Sequence, residues 1–172
     1  MVSDPELRTS LAALCAPVWW EYVSGQNEQY APFSAAEGAP GDPAVEAIVE
    51  VPNPILDDIR SVPAVLVIAA DLKSIAMMDK NLERPPITGG GSVYPFVWSI
   101  LLAARAHGLA GVMTTFLARA ENDARPLLGL PHDWAIASMV CLGEPTTRPT
   151  RLKRNPVASF ATRDRFDGPT FG

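Results

Sequence analysis

Residues 92–108 read SVYPFVWSILLAARAHG, and this stretch indicates the architecture of the 172-residue chain more clearly than any other. Ser92 is a favourable helix N-cap, Pro95 is tolerated in a first helical turn, and Gly108 is typical of the position just past a helix end. The stretch therefore predicts a helix over 93–107. Its residues are apolar nearly all the way round, so other elements or a second chain must cover it.

Two apolar runs of strand length flank this helix in the sequence. Residues 64–70 read AVLVIAA, and residues 134–142 read WAIASMVCL. Continuous apolar runs of this length are typical of strands buried on both faces. A shorter β-like stretch covers 112–116. Strands that alternate with helices predict an α/β or α+β fold.

Further helices are predicted on either side. Ser3 begins a capping box, and apolar residues then recur with helical spacing at Leu7, Leu11, Leu14 and Val18. Pro17 is expected to kink or end this helix. Residues 54–60 predict a short helix and residues 118–128 an amphipathic one. The polar, Gly/Pro-rich residues 24–44 predict a long loop, which either shapes a substrate pocket or is disordered.

The composition is that of a globular protein, with 48% apolar and 19% charged residues. No apolar run reaches the roughly 18 residues of a membrane helix, and the N-terminus lacks the basic and apolar regions of a signal peptide. Cys15 and Cys141 lie in apolar surroundings far apart in the sequence, which predicts two buried free thiols. We therefore expect a cytoplasmic protein with no membrane partner.

Charge is unevenly distributed along the chain. The net charge of −5 argues against a general nucleic-acid-binding protein. From Arg148 onward, however, the chain has six basic and two acidic residues, so this tail is +4 and the preceding residues are −9. We divide the chain into a core, 1–147, and an extended basic tail, 148–172. Such a tail is expected to dock on an acidic partner surface or around an anionic ligand.

The sequence offers little side-chain machinery for catalysis. Its two histidines, His107 and His132, belong to no recognisable Ser-His, Cys-His or metal-ligand pattern, so we assign no catalytic residue and no metal site. Residues 89–92, Gly-Gly-Gly-Ser, are similar to a phosphate cradle, but the Walker lysine is missing. A loop followed by a helix start is the preferred interpretation. If the protein is an enzyme, a cofactor supplies the hard chemistry.

Together, these segments resemble the C-terminal two-thirds of the nitroreductase family of flavoproteins. Residues 92–156 are the specific part of the match, whereas residues 19–60 match weakly. The segments follow the family order: the strand 63–70, the apolar helix ending at Gly108, the segment 110–116, LGLP at 128–131, the strand 135–142 followed by GEP, and KRNP at 153–156.

The resemblance implies an α+β fold with a central sheet flanked by helices, in an intertwined homodimer whose C-terminal tail packs on the partner subunit. It implies FMN at the subunit interface, with electrons passing from NAD(P)H, either NADH or NADPH, to a nitro compound, a quinone or a similar acceptor. Four residues match the family segment whose backbone faces the flavin ring: Val112, Met113, Thr114 and Thr115. Lys153 and Arg154 match the basic pair that holds the FMN phosphate, and Arg151 is a weaker candidate.

One family feature has no counterpart in the sequence. Members usually begin with an Arg/Ser-rich segment that supplies phosphate-binding arginines, and no such segment precedes Val2. We therefore expect either a sequence that starts late or a naturally short member. Two other functions stay open: a flavin-free binding or interaction protein on the same fold, and a nucleotide-binding protein that uses residues 89–92.

Overall fold

The structure is a computed structural model that describes residues 1–26, 29–148 and 150–171. Its helices and strands confirm the α+β class. The helices are α1 (Pro5–Ser24), α2 (Pro54–Asp57), α3 (Gly90–Ala106), α4 (Phe116–Arg119) and α5 (Glu121–Leu128). The strands are β1 (Ala64–Asp71), β2 (Ala110–Thr114) and β3 (Trp134–Gly143), and short 3-10 turns cover Val45–Ala47 and Val157–Ser159.

The three strands form an antiparallel sheet in the order β1-β3-β2. β3 lies in the middle and pairs with β1 from Ala64↔Leu142 to Asp71↔Trp134. It pairs with β2 from Ala110↔Gly143 to Thr114↔Met139. β2 is therefore an edge strand, and half of its backbone hydrogen-bonding groups are not used by β3.

Helix α1 covers one face of the sheet and builds the core there. Leu11 and Cys15 on α1 are fully buried and belong to one apolar cluster with Val65, Met139 and Cys141 of the strands. Both cysteines are free and buried, as predicted. Burial raises the pKa of the Cys15 thiol to about 12 and also raises that of Cys141, so both thiols are protonated and inert at neutral pH.

Helix α3 packs on the opposite face, against β2 and β3. Gly111 makes this close approach possible, because a Cβ atom there would lie 2.8 Å from Leu101 of α3 and 2.4 Å from Leu142 of β3. Only Val97 and Ala104 of α3 are buried. The predicted all-round cover is therefore absent from the single chain, and the outer surface of α3 exposes Tyr94, Phe96, Trp98 and Leu102.

Several predicted boundaries were wrong. The N-cap of α1 is Asp4, whose side chain accepts a hydrogen bond from Glu6 N at 2.9 Å, and not Ser3. Helix α1 continues through Pro17 to Ser24, since packing of the residues beyond it compensates for the lost backbone hydrogen bond. Helix α3 begins at Gly90 with Gly89 as its N-cap, so Ser92 lies inside the helix.

Two further predictions hold in part. The amphipathic helix predicted over 118–128 consists of α4 and α5, which are separated at Ala120. Strand β3 is buried on both faces over 138–141, as predicted, whereas in β1 only Val65 is fully buried. Because β1 lies at the edge of the sheet, it has fewer neighbours to cover it.

The tail contains only the 3-10 turn Val157–Ser159 and a single bridge between Thr162 and Thr170, as far as the structure describes it. It runs largely exposed, and the division into core and tail stays a prediction. No helix among the described residues is long and apolar enough to span a membrane.

Candidate functional site

The end of β2 opens into a cleft of about 430 Å³, a volume within the usual range of small-molecule sites. All four residues of the segment 112–115 line it, so the structure brings this part of the predicted site together. The other walls come from α1, from the start of α2, from α4 and from the middle of β3. These further lining residues are Trp19, Tyr22, Asn53, Ile55, Leu56, Phe116 and Met139.

Aromatic side chains form one wall of the cleft. Trp19 and Tyr22 lie on successive turns of α1 and stack with ring centroids 6.2 Å apart. Phe116, the first residue of α4, lies 5.8 Å from each of these two rings. Ring pairs at such distances support one another and form a rigid apolar surface. A planar ligand could pack against this wall.

Hydrogen bonds fix the position of this wall and of the adjoining α2. The indole nitrogens of Trp19 and Trp20 both donate to Val51 O, at 2.9 and 3.2 Å. Asn53 caps α2, because its Oδ1 accepts from Ile55 N at 3.1 Å and from Leu56 N at 3.3 Å. Asn53 is thereby held at the cleft, where a polar amide lies among apolar side chains.

Thr114 contributes an unusual polar atom. Its Oγ1 is buried and has no hydrogen-bond partner among the described residues, although the residue lines the cleft. Buried hydroxyl groups in folded proteins nearly always have a partner, and each exception calls for a physical explanation. A ligand in the cleft could supply the missing hydrogen bond once the Thr114 side chain rotates its hydroxyl towards the cleft.

The backbone of the same segment is also available. Because β2 is an edge strand, the N–H and C=O groups along its outer side do not pair with β3. Val112 and Thr115 are exposed, while Met113 and Thr114 are partly buried. The segment therefore offers hydrogen-bonding groups without a charged side chain, which suits a neutral heteroaromatic ring.

The predicted basic residues lie elsewhere in the single chain. Arg151, Lys153 and Arg154 are all exposed on the tail, and none lines the cleft. Arg154 donates to Lys153 O at 3.2 Å, so the two side chains belong to one exposed turn of chain. Nearer the core, Arg148 attaches the tail to the end of α3 by donating to Gly108 O at 3.2 Å. The phosphate-binding role of the three residues stays a prediction.

The sequence did not predict the part of the site that α1 and α2 supply. Trp19 and Tyr22 form an aromatic cluster in the sequence, but no local pattern indicates that they face the end of β2. Asn53 precedes Pro54, which is a typical N-cap signal. Among the described residues, no group of three His, Cys, Asp or Glu side chains could hold a metal ion.

The residues at 89–92 have apolar surroundings. Gly89 and Gly90 adjoin a small cavity of about 190 Å³ whose walls include Leu72, Ile75 and Val93. No basic side chain lines this cavity, so its chemistry does not favour a phosphate group.

Comparisons with known proteins give a family from the sequence and a fold from solved structures. The sequence model described as the Nitroreductase family matches residues 1–144. Comparison with curated proteins finds no match.

Three solved structures resemble the chain over 96% of its length. The NADPH:FMN oxidoreductase from Vibrio harveyi, solved in complex with NAD+, has a TM-score of 0.60 and 20% identity. Nitroreductase A from Vibrio parahaemolyticus has the same two values, and NfrA2 of B. megaterium has a TM-score of 0.57 and 16% identity. The chain covers 57%, 56% and 56% of these three proteins, so it spans little more than half of their length.

Proposed function

The chain belongs to the nitroreductase family, and on that premise we propose that it is an FMN-dependent oxidoreductase. It passes electrons from NAD(P)H to a nitro compound, a quinone or a similar acceptor. The observation that carries this proposal is the cleft at the end of β2. It combines a rigid aromatic wall, free edge-strand backbone groups and the unpartnered hydroxyl of Thr114.

These residues fit the ring system of a flavin in size and in chemistry. A flavin ring is planar, largely apolar on its faces and rich in hydrogen-bonding groups along one edge. The aromatic wall suits the face of the ring, and the segment Val112–Thr115 suits its polar edge. Bound FMN would supply hydride transfer, which the side chains of this protein do not provide.

The protein's own part is then binding and orientation. Backbone groups of Val112–Thr115 hold the polar edge of the ring, and the Thr114 hydroxyl adds one side-chain hydrogen bond. Trp19 and Phe116 keep the ring flat and exclude water from one side of it. Lys153 and Arg154, with help from Arg151, hold the phosphate as a charge-assisted pair.

A homodimer accounts for the distance between the two halves of this site. The exposed apolar face of α3 needs cover, and the described residues of the tail beyond Arg148 are largely exposed. We place the tail on the partner subunit, where its cations reach the partner's cleft. The two free thiols suit a reducing compartment, and we place the protein in the cytoplasm on that ground.

The test is a titration of the purified full chain with FMN. We expect saturable quenching of flavin fluorescence and, after gel filtration, a protein that retains the visible absorbance of oxidised flavin. Anaerobic addition of NADH or NADPH is then expected to bleach that absorbance, and a nitroarene or quinone to restore it. Absence of FMN binding at micromolar protein would contradict the proposal.

The second candidate is a flavin-free binding or interaction protein on the same fold. One observation favours it: Arg151, Lys153 and Arg154 do not line the cleft of the chain that carries them. Under this alternative the tail acts as a clasp on an acidic surface of the partner. FMN titration separates the two candidates directly.

A further inference from the structure

A second pocket adjoins the cleft and has a volume of about 470 Å³. Tyr22, Thr115 and Phe116 line both spaces, so the two share a wall. The remaining lining comes from α1, from α4 and from the long loop that precedes α2: Val18, Pro32, Phe33, Ala118 and Arg119.

Arg119 fastens the loop to the two helices. Its guanidinium donates to Glu21 on α1 at 3.1 Å and to Asp42 on the loop at 2.6 Å. It also lies over the ring of Phe33, 4.3 Å from the centroid, which is within cation–π range. One side chain therefore joins α4, α1 and two points of the loop.

Phe33 shows that the loop conformation is imposed by these contacts. Its φ of 59° lies in the left-handed region, which is unfavourable for a bulky residue. The ring gains contacts in return, since it lies 6.3 Å from Tyr22 as well as beneath Arg119. The loop is thus a formed wall of the pocket, with three aromatic rings around one space.

The charges around this pocket are mainly negative. Arg119 is the basic residue of its lining, and it is paired with two carboxylates, so the group of three carries one net negative charge. The sequence from Glu21 to Asp58 contains eight acidic residues and neither Lys nor Arg. An anionic ligand would be repelled here, whereas an uncharged or cationic aromatic would not.

We infer that this pocket is the acceptor subsite of the enzyme and selects uncharged or cationic planar aromatic compounds over anionic ones. Arg119 acts as a positioning residue, which holds Phe33 and the loop in place. The identification of the bound compound as an electron acceptor rests on the proposed function. The preference of the pocket for uncharged or cationic compounds does not depend on FMN.

The test uses three nitroarenes whose para substituents are neutral, anionic and cationic: 4-nitrobenzamide, 4-nitrobenzoate and 4-nitrobenzyltrimethylammonium. Their dissociation constants are measured on the full chain by ligand-observed NMR, with and without saturating FMN. We expect the cation to bind about tenfold more tightly than the anion at low ionic strength, with the amide between them. This ratio is expected to shrink in 0.5 M NaCl, because salt screens the charges.

Two variants and a control assign the preference to this pocket. Asp42→Asn removes one exposed charge but keeps an oxygen that can accept from Arg119, so the ratio between cation and anion is expected to fall towards unity while the amide, with the loop still attached, binds as before. Arg119→Met releases the loop and is expected to weaken binding of the amide and the anion, while the cation recovers part of its loss because the net charge of the group changes from −1 to −2. The matched control is Arg60→Met, which breaks the exposed ion pair with Glu6 at 2.7 Å and is expected to change none of the three constants.

The outcomes separate this inference from the proposed function. Charge-ordered binding without any FMN binding would keep the inference about the pocket and reject the flavin enzyme. If FMN binds but the three nitroarenes bind equally or not at all, the proposed flavin enzyme is kept and the inference about the pocket is rejected. Wild-type constants in a folded Arg119→Met protein would also overturn the inference.

Discussion

Two buried hydroxyl groups have no hydrogen-bond partner among the described residues, Thr114 Oγ1 and Ser138 Oγ. Their surroundings differ. Thr114 lines the cleft, whereas Ser138 is fully buried on β3 and lines none of the cavities discussed above. A rotation of the Thr114 side chain would bring the first hydroxyl to a ligand in the cleft, whereas none of these cavities adjoins the second. The same kind of substitution is expected to affect binding at one position and stability at the other.

Thr114→Val is expected to weaken FMN binding by roughly 2–10-fold, the worth of one neutral hydrogen bond of ~0.5–1.5 kcal/mol. The flavin-free protein should be no less stable, because valine has the same shape and leaves no unpaired hydroxyl. FMN titration and thermal unfolding of the same sample check both effects. A loss of stability with unchanged FMN affinity would show that the hydroxyl serves the fold.

Ser138→Ala is expected to leave FMN affinity unchanged and to stabilise the protein. An unpartnered buried hydroxyl costs ~1–3 kcal/mol, and removing it outweighs the small loss of packing, so we expect a net gain of up to about 1 kcal/mol. Urea unfolding midpoints at an unchanged m-value measure the gain. A decrease in the midpoint would mean that Ser138 has a partner in solution.

Asp79 is the other buried polar residue, and it organises the chain that leads into α3. Its carboxylate accepts from Arg84 at 2.7 Å, from Ile87 N at 2.8 Å, and from the hydroxyl and N–H of Thr88 at 2.5 and 3.2 Å. These bonds, with that of the Thr88 hydroxyl first, hold the Asp79 pKa well below its usual range.

The pH dependence of stability follows from the direction of this shift. A depressed folded-state pKa stabilises the protein above the unfolded pKa of about 3.9, and this contribution is lost as the pH falls further. Asp79→Asn is therefore expected to be less stable than wild type at pH 7, and the difference should shrink below about pH 4. Thermal unfolding from pH 7 to pH 3 measures it, with Glu37→Gln on the exposed loop as control. A difference that does not vary with pH would reject this origin.

At the scale of elements, the sequence predicted what depends on local pattern. The core stripe of α1, the strands β1 and β3 and the end of α3 follow from apolar spacing and from terminal residues. Pro17 does not end α1, because a proline removes one hydrogen bond and the packing of Val18 and Trp19 compensates for that loss. Such packing involves residues distant in sequence, and no local pattern reports it.

The residues of the candidate site likewise divide into those that a contiguous motif predicts and those that only the tertiary fold brings together. The segment Val112–Thr115 was predicted, because a family resemblance carries a contiguous motif. The aromatic wall was not, since Trp19 and Phe116 meet only when α1 crosses the end of β2. Arg119 pairs with Asp42 and with Glu21, which precede it by 77 and 98 positions in the sequence. Contacts of this range are fixed by the tertiary fold alone.

The role proposed for the tail depends on charge. Hydrogen bonds to charged groups contribute ~1.5–3 kcal/mol each, so the double variant Lys153→Ala/Arg154→Ala is expected to bind FMN roughly 10²–10⁴-fold more weakly. Both side chains are exposed, and the melting temperature should hardly change. Arg163→Ala/Arg165→Ala, a double variant of the same charge further along the tail, is the matched control. Equal FMN affinity of the first variant and wild type would reject the phosphate role.

At the scale of the whole molecule, the outer face of α3 is not explained by a single chain. Four large apolar side chains on one helix are 42–59% exposed: Tyr94, Phe96, Trp98 and Leu102. The apolar side chains Met78 and Ile87, in the segment that leads into α3, are 85% and 75% exposed. Contiguous apolar surface of this kind marks an interaction site, since isolated soluble chains seldom carry it.

We therefore expect a homodimer in which α3 lies between the subunits. Obligate interfaces typically bury more than ~2,000 Å², and aromatic residues near the centre of an interface often contribute at least ~2 kcal/mol each. Trp98→Glu is expected to weaken dimerisation by about 30-fold or more, because it places a charge in the apolar contact. Val45→Glu, on an exposed 3-10 turn, is the control and should have no effect.

Sedimentation velocity should give twice the 18.4 kDa mass of one chain for wild type and control, and a concentration-dependent shift towards one chain for Trp98→Glu. A wild-type protein that sediments as one chain at micromolar concentration would reject the dimer. Lys153 and Arg154 could then not reach a second cleft, and the phosphate site would have to be sought within the single chain.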